Sequence, residues 1–401
     1  MTWQTVKVCD LGQVVTGDTP PKNRPEYYGS AYPFIKPTDM QIGHRYTYSY
    51  EESYSEEAFE KYRKKLIPSG ATAVVTIGSI GQKLTLTHAD CFVNQAVNAI
   101  IPNSLRFDSL YVYYLLRHNL HLVKRADTGA SSGRENVSKS NFSALELVAT
   151  LDRDEQKRIA AVLDGYDCLI ETNRRRIALL EESARLLYRE WFVNLRFPGY
   201  ESATREGTLP DGWNMQLLNE VAEVNRTSLS SKSQPNEIQY VDIASVETGV
   251  VLGATKMLFA EAPGRARRLV QHGDVIWSCV RPNRRSYALM WQPDDDIVVS
   301  TGFAVLSAKS VPFSYLYFAT TSDDFVAYLT NRATGAAYPA VTASDFEEAP
   351  LLCPTSDVLQ DFHERCLPML ELRNTLIIQN GQLTIARDAL LPKLMSGAIK
   401  V

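Results

Sequence analysis

Tyr111-Val112-Tyr113-Tyr114 returns as Tyr315-Leu316-Tyr317-Phe318, Thr128-Gly129-Ala130 returns as Thr334-Gly335-Ala336, and Leu186-Leu187 returns as Leu390-Leu391, each 204 to 206 residues later. Trp3, six residues before Cys9-Asp10-Leu11-Gly12, has a counterpart in Trp213, which follows Leu209-Pro210-Asp211-Gly212 and precedes Leu217-Leu218-Asn219-Glu220. Solenoid units recur every ~20 to 50 residues, so a period this long marks a duplicated domain. Two copies in one chain imply two similar tasks done side by side.

Outward from these repeats the plan reads twice. Residues 1–150 mix short β-rich runs, such as Ala73-Val74-Val75-Thr76-Ile77, with Gly/Pro turns and one apolar helix from Ser109 to about Leu120, a mixed α/β globule. From Asp152 there is no proline until Pro198, and a seam of apolar positions interrupted by one asparagine keeps a four-three spacing: Ile159, Leu163, Tyr166, Ile170, Asn173, Ile177, Leu180, Ala184, Leu187 and Trp191. That spacing predicts one long helix over 151–197 with a coiled-coil seam, on which Asn173 would fix register at some cost in stability. At about 1.5 Å per residue it is a rod of about 60 Å.

Phe197-Pro198-Gly199-Tyr200 ends that helix, and 198–212 reads as a linker. Residues 213–353 form the second globule, with a small helix over Tyr315–Asp324. Residues 354–401 form the second long helix, whose seam is Phe362, Cys366, Met369, Arg373, Leu376, Asn380, Leu383, Arg387, Leu390 and Leu394. Pro368 and Pro392 predict a kink or break in it. The fold class expected is α+β: two mixed α/β domains, each followed by a long helix. The helices would pair as an antiparallel coiled coil if the globules are related by a pseudo-twofold axis. Charged residues such as Arg174-Arg175-Arg176 would then face solvent or a partner protein.

The totals constrain less. With 42 Lys+Arg against 46 Asp+Glu the net charge is −4, so any nucleic-acid function must come from local charge. Cysteines at 9, 91, 168, 279, 353 and 366 have neither Cys-x-x-Cys nor zinc-ligand histidine spacing, which fits reduced thiols in a cytoplasmic protein. The N-terminus lacks an apolar signal core, and no apolar stretch approaches the roughly 20 residues needed to span a bilayer. No metal site is expected.

The segment Asp10-Leu11-Gly12-Gln13-Val14-Val15-Thr16-Gly17-Asp18-Thr19-Pro20, followed by Glu26-Tyr27-Tyr28-Gly29 and Pro33-Phe34-Ile35-Lys36-Pro37-Thr38-Asp39-Met40, resembles the opening of a type I restriction-modification target-recognition domain. Val148-Ala149-Thr150-Leu151 with Glu155-Gln156-Lys157-Arg158-Ile159-Ala160 resembles that family's entry into its conserved spacer helix. In the second copy, Gln239-Tyr240-Val241-Asp242-Ile243 answers Pro33 to Pro37, although its opening lacks the Thr-Gly-x-Thr-Pro element. The order domain, helix, domain, helix is the layout of the family's specificity subunit. The resemblance implies a chain without catalytic residues that reads an asymmetric, split double-stranded DNA target, the helical pair fixing the gap. It further implies two methyltransferase subunits carrying S-adenosylmethionine and two restriction subunits using ATP and Mg, with no cofactor on this chain.

Reading bases needs side chains that fork onto base edges, chiefly Arg or Lys to guanine and Asn or Gln to adenine, while Lys, Arg, Ser and Thr also anchor phosphates. In the first globule the candidates are Lys22, Asn23, Arg24, Lys36, Thr38, Ser79, Gln82, Lys83, Arg134 and Asn136. In the second they are Arg265, Arg267, Arg268, Arg281, Asn283, Arg284 and Arg285. Ala262 to Arg285 holds six Arg against one Asp, the strongest local basic signal in the chain. The bland reading is an exposed basic hairpin, and for Lys22–Arg24 and Arg134–Asn136 an ordinary polar turn.

Gly129 to Gly133 lacks the Gly-Lys-Ser/Thr of a phosphate loop. His118 and His121 have no carboxylate pattern beside them and read as structural, and Tyr111–Tyr114 reads as core. Two other functions compete. A chain that itself methylates or cuts DNA is disfavoured, since no Asn/Asp-Pro-Pro-Phe/Tyr pocket, Gly-rich cofactor loop or nuclease-type carboxylate pair with Lys occurs. A coiled-coil adaptor binding proteins without sequence-specific DNA readout is the alternative that the acidic net charge favours.

Overall fold

The structure is a computed structural model and describes residues 3–127, 135–201, 203, 205, 206, 209–230 and 235–401. Arg134, the Gly129–Gly133 stretch, the Thr128–Ala130 half of one repeat and parts of the 198–212 linker lie outside the described residues. The chain packs as two compact units, residues 1–174 with 378–401, and residues 175–377. Each unit therefore contains a globule and a part of both long helices, a division that cuts across the separation into globules and spacer helices.

In the first unit the strands are β1 (Trp3–Lys7), β2 (Gly12–Thr16), β3 (Tyr28–Ile35), β4 (Glu52–Tyr54), β5 (Thr72–Val75), β6 (Leu84–Leu86), β7 (Phe92–Val93), β8 (Val97–Pro102) and β9 (Glu146–Thr150). They form an antiparallel sheet β2-β8-β5-β6, a sheet β4-β3-β7 in which β3 and β7 are parallel, and the pair β1-β9. The short helices α1 (Ser109–His118), α2 (Leu120–Arg125) and α3 (Lys139–Ser143) follow, then the long helix α4, Arg153–Tyr188. The β-branched runs of β5 and β8 are buried almost throughout, as expected for central strands.

The second unit repeats this order. Apart from four two-residue strands, its strands are β10 (Asn214–Leu217), β11 (Ala222–Val224), β12 (Glu237–Val241), β13 (Thr255–Leu258), β14 (Ala266–Leu269), β15 (Val275–Ser278), β16 (Tyr287–Leu289), β17 (Ile297–Ser300), β18 (Phe303–Ala308) and β19 (Pro350–Cys353). Helices α5 (Phe313–Thr320), α6 (Asp323–Arg332) and α7 (Ala343–Glu347) precede the long α8, Ser356–Met395. The sheet order β11-β18-β15-β16 matches β2-β8-β5-β6 of the first unit, and β13-β12-β17-β14, with β12 parallel to β17, repeats β4-β3-β7 with β14 added beyond β17. The small helix read from Tyr315 to Asp324 is thus two helices, divided where Ser322 caps α6.

The aromatic runs are core. Tyr111 to Leu116 pack with Ile159 and Leu163 of α4 and Leu391 and Leu394 of α8. Tyr315 to Ala319 pack with Trp191 and Phe192 from one long segment and Phe362 and Cys366 from α8. In each unit the two helical segments run antiparallel: Asp167 meets Arg387 in the first, and Glu181 meets Arg373 at 2.9 Å in the second. The seam therefore carries buried arginines, each paired with a carboxylate, as burial of charge requires.

Two expectations fail. α8 runs unbroken through Pro368 and Pro392. Both rings lie on the exposed face, where the carbonyls they orphan, on Glu364 and Asp388, stand on exposed residues, while buried Cys366, Leu370, Leu391 and Leu394 hold the helix path. Arg174 does not simply face solvent. It is half-buried and reaches Gly43 O at 3.4 Å, whereas Arg175 and Arg176 are exposed.

Candidate nucleic-acid interface

Strand order decides which loops meet. In the first unit β2 ends at Thr16, β8 begins at Val97, β5 ends at Val75 and β6 begins at Leu84, and the order β2-β8-β5-β6 places all four termini at one sheet edge. The second sheet ends there too: Ile35 pairs with Val93, and Asn94 N donates to Ile35 O at 3.2 Å. Hydrogen bonds lace the departing loops, Thr76 N to Ala96 O (2.8 Å), Gly78 N to Glu135 O (3.1 Å) and Lys83 Nζ to Pro37 O (2.9 Å).

Lys36 and Thr38 after β3, Ser79, Gln82 and Lys83 on the β5–β6 hairpin, and Asn136 bridged to Ile77 are thereby brought together. Lys22, Asn23 and Arg24 are not. Their turn, closed by Arg24 N to Pro21 O at 3.0 Å, leads into the start of β3, the end away from Ile35, and Arg24 pairs with Glu26 at 3.2 Å. Lys36 is at the edge but its charge is engaged. Its Nζ lies 2.7 Å from Glu51 and 3.2 Å from Glu52. Burial works against the ammonium, yet these two carboxylates outweigh it and hold the pKa above the usual lysine value.

The second unit builds the same edge. β11 ends at Val224, β15 at Ser278 and β12 at Val241, while β16 begins at Tyr287, β18 at Phe303 and β14 at Ala266, opposite Ser300. Thr301 N donates to Arg265 O at 2.7 Å and Cys279 N to Gly302 O at 2.8 Å. An open concavity of about 490 Å³ results, lined by Asp242, Arg265, Arg281, Arg284, Ser286 and Tyr338 among others. It joins three arginines that are up to 19 positions apart in sequence.

Arg267 and Arg268 do not join them. They lie along β14, with Arg268 opposite Val299. The Arg267 Nη1 donates back to Ala266 O at 2.7 Å, with its guanidinium 5.0 Å from the Phe259 ring. Arg268 Nη1 reaches Ser228 Oγ at 3.4 Å, and its Nε is buried without a partner among the described residues. Tyr338, 69% exposed, is the edge residue that sequence reading passed over. Its signal was an aromatic set between Gly335-Ala336-Ala337 and Pro339, a turn with no core to fill.

The edge loops are braced from behind. Arg45, 4% exposed, sits in the β3–β4 connection and pairs with Asp164 and, at 2.7 Å, with Glu171 of α4. This ties the loop following Lys36 to the long helix. No group of His, Cys, Asp and Glu among the described residues is arranged to hold a metal, and all six cysteines are unpaired. No helix among the described residues is long and apolar enough to cross a membrane.

Comparison with known proteins agrees with this architecture. Residues 1–182 match the family model for the type I restriction modification DNA specificity domain. The specificity subunit of the type I restriction enzyme MjaIX from Methanocaldococcus jannaschii is 24% identical over 100% of this chain and 94% of its own length. The specificity subunit of the type I restriction enzyme HindI from Haemophilus influenzae is 31% identical over 36% of this chain and 31% of its own. The crystal structure of a type I restriction-modification system S subunit from M. genitalium shares the fold with a TM-score of 0.58 at 16% identity, covering 98% of this chain and 96% of that one. This chain is thus similar along its whole length to a specificity subunit of a type I restriction enzyme, and its residues 1–182 match the DNA specificity domain of type I restriction modification.

Proposed function

We propose that the chain reads DNA through the two sheet edges, one half of a split target at each, and carries no catalytic step itself. The observation that carries this reading is the recurrence of one edge in two chemically different versions. The bridge Ile77↔Asn136 in the first unit answers Val280↔Ala340 in the second, 203 and 204 positions later, yet the loops there differ in nearly every side chain. A repeated frame with divergent tips suits two readers of unlike sequences, hence an asymmetric target. Side chains on loops held by a sheet are suited to enter a groove, with arginines and lysines supplying phosphate contacts and registration.

In this reading the long helices set the gap between half-sites. Two methyltransferase subunits bring S-adenosylmethionine, and two restriction subunits bring ATP and Mg; this chain binds no cofactor. The test is the methylome of cells expressing the chain with its methyltransferase partner, against cells lacking it. A new split, asymmetric motif is the expected result, and exchanging residues 1–150 for those of another specificity subunit should change one half only. A stable complex that methylates with no sequence preference overturns the reading and favours a protein-binding adaptor.

A further inference from the structure

The β15–β16 loop holds a local conformation that its sequence does not favour. Arg281 and Arg285 have φ of +53° and +55°, in the left-handed region where a Cβ is penalised, and they bracket the 3₁₀ turn Pro282–Arg284. The first unit's hairpin has the same length and uses glycine at the station matching Arg281, Gly78 at +88°, and one position before the station matching Arg285, Gly81 at +74°. Glycine would be the lower-energy choice at 281 and 285 as well. Strained non-glycine residues persist where surrounding structure over-determines them, commonly at ligand-contacting sites.

The surroundings do so here. Arg281 N donates to Pro339 O at 2.7 Å and its Nη2 to Ala337 O at 3.0 Å, while the guanidinium lies 4.5 Å from the Tyr338 ring centroid. Arg285 Nη2 pairs with Asp323 at 2.6 Å. Between them Pro282 is buried with its φ locked by the ring, and Arg284 N closes the turn on Arg281 O at 2.9 Å. Two arginines are therefore consumed in holding the bracket. The side chains of Asn283 and Arg284, both exposed, have no hydrogen-bond or ion-pair partner among the described residues. Arg284 also lines the concavity with Arg265 and Tyr338.

We infer that Asn283 and Arg284 form a preorganised two-residue reader that sets base specificity in one half of the target, with Arg281 and Arg285 as positioning residues and not base contacts. The inference rests on the proposed DNA-reading function and deepens it. Arg forks onto the O6 and N7 of guanine and Asn onto the N6 and N7 of adenine, so the chemistry recognised is a major-groove purine pair, a guanine beside an adenine. Holding the pair on a clamped turn lowers the ordering cost of binding, the usual benefit of preorganisation.

The experiment compares R284A, N283A and R281G in the complex with the methyltransferase subunits, reading methylation across a randomised double-stranded DNA library. R284A should relax one G·C position by roughly 5- to 150-fold, and N283A a neighbouring A·T position, both in the half assigned to residues 213–353 by domain exchange. R281G, which relieves the left-handed backbone but removes the clamp, should blur both positions while leaving the other half intact. If R284A lowers methylation evenly over all sequences and reduces the salt slope by about one, Arg284 is a phosphate contact and the inference is overturned. A wild-type library without a split motif would instead overturn the DNA-reading function itself.

Discussion

Asn173 Nδ2 on α4 donates to Asn380 Oδ1 on α8 at 3.1 Å, and Asn380 Nδ2 in turn donates to Ile170 O at 3.2 Å. Both asparagines stand on the heptad seams, among buried neighbours such as Ile170 and Leu376. An amide pair there is satisfied only in one register, because a slip along the helix leaves both groups opposite hydrocarbon.

The first prediction follows from that pair. Replacing both asparagines by leucine should leave the melting temperature unchanged or higher, because burying an amide is less favourable than burying leucine, while methylation specificity becomes less sharp as register loosens. A melting temperature several degrees lower in N173L/N380L would show that the pair stabilises the fold and does not merely select its register.

Asp167 and Arg387 are 4% and 2% exposed and pair at 2.5 Å, with Tyr114 OH donating to Asp167 at 2.8 Å. Removing Arg387 leaves the buried Asp167 carboxylate with only Arg117, 3.9 Å away, as a counter-charge. R387M should therefore destabilise by about 3–5 kcal/mol in a urea melt. The double variant D167L/R387L should recover most of the loss. Equal destabilisation by the single and double variants would show that burial of the charge is not the cause.

His44 is pushed down to about 4 by burial, with a smaller contribution from the Arg174 guanidinium. The unfolded chain takes up this proton near pH 6.5, the folded one only near 4. Between these values the unfolded state binds more protons, so the contribution of His44 is fully present above pH 6.5 and is lost as pH falls towards 4. H44Q should flatten the stability profile in that window by roughly 1–2 kcal/mol, allowing for its partial exposure. An unchanged slope between pH 6.5 and 4 would assign the acid loss to other groups.

Lys83 supplies the bond to Pro37 O that holds the Lys36–Thr38 loop against the hairpin. K83A should weaken binding at one half-site only, with the motif of the other half unaltered, as read by methylation. Loss spread over both halves would mean that Lys83 contributes general charge and no local geometry.

How much of this was legible beforehand follows from the range of each interaction. The duplication, the two helices and their seams are periodic signals, and Asn173, Asn380, Arg373 and Arg387 were all placed on the seam by spacing alone. The second small helix boundary at Ser322 and the continuity of α8 through Pro368 were not legible, since a cap and a proline act locally and packing overrode the local preference. Among site residues, the cluster at 281–285 was visible as charge. Its division into clamp and free side chains was not, because composition does not show which arginine finds Asp323, Ala337 O or an aromatic ring.

Sequence by itself determined the two-copy plan, the heptad registers and the basic character of the second hairpin, because each is written in residues close together or regularly spaced. Only tertiary structure decided that loops from Lys36, Ser79, Lys83 and Asn136 share one edge and those from Arg265, Arg284 and Tyr338 another, since that depends on strand order, and that the Lys22–Arg24 turn stands apart. It also decided which charges are free, because Lys36 and Arg285 are engaged by groups brought near through folding. Strand pairing joins residues tens of positions apart, and no local pattern encodes the partner.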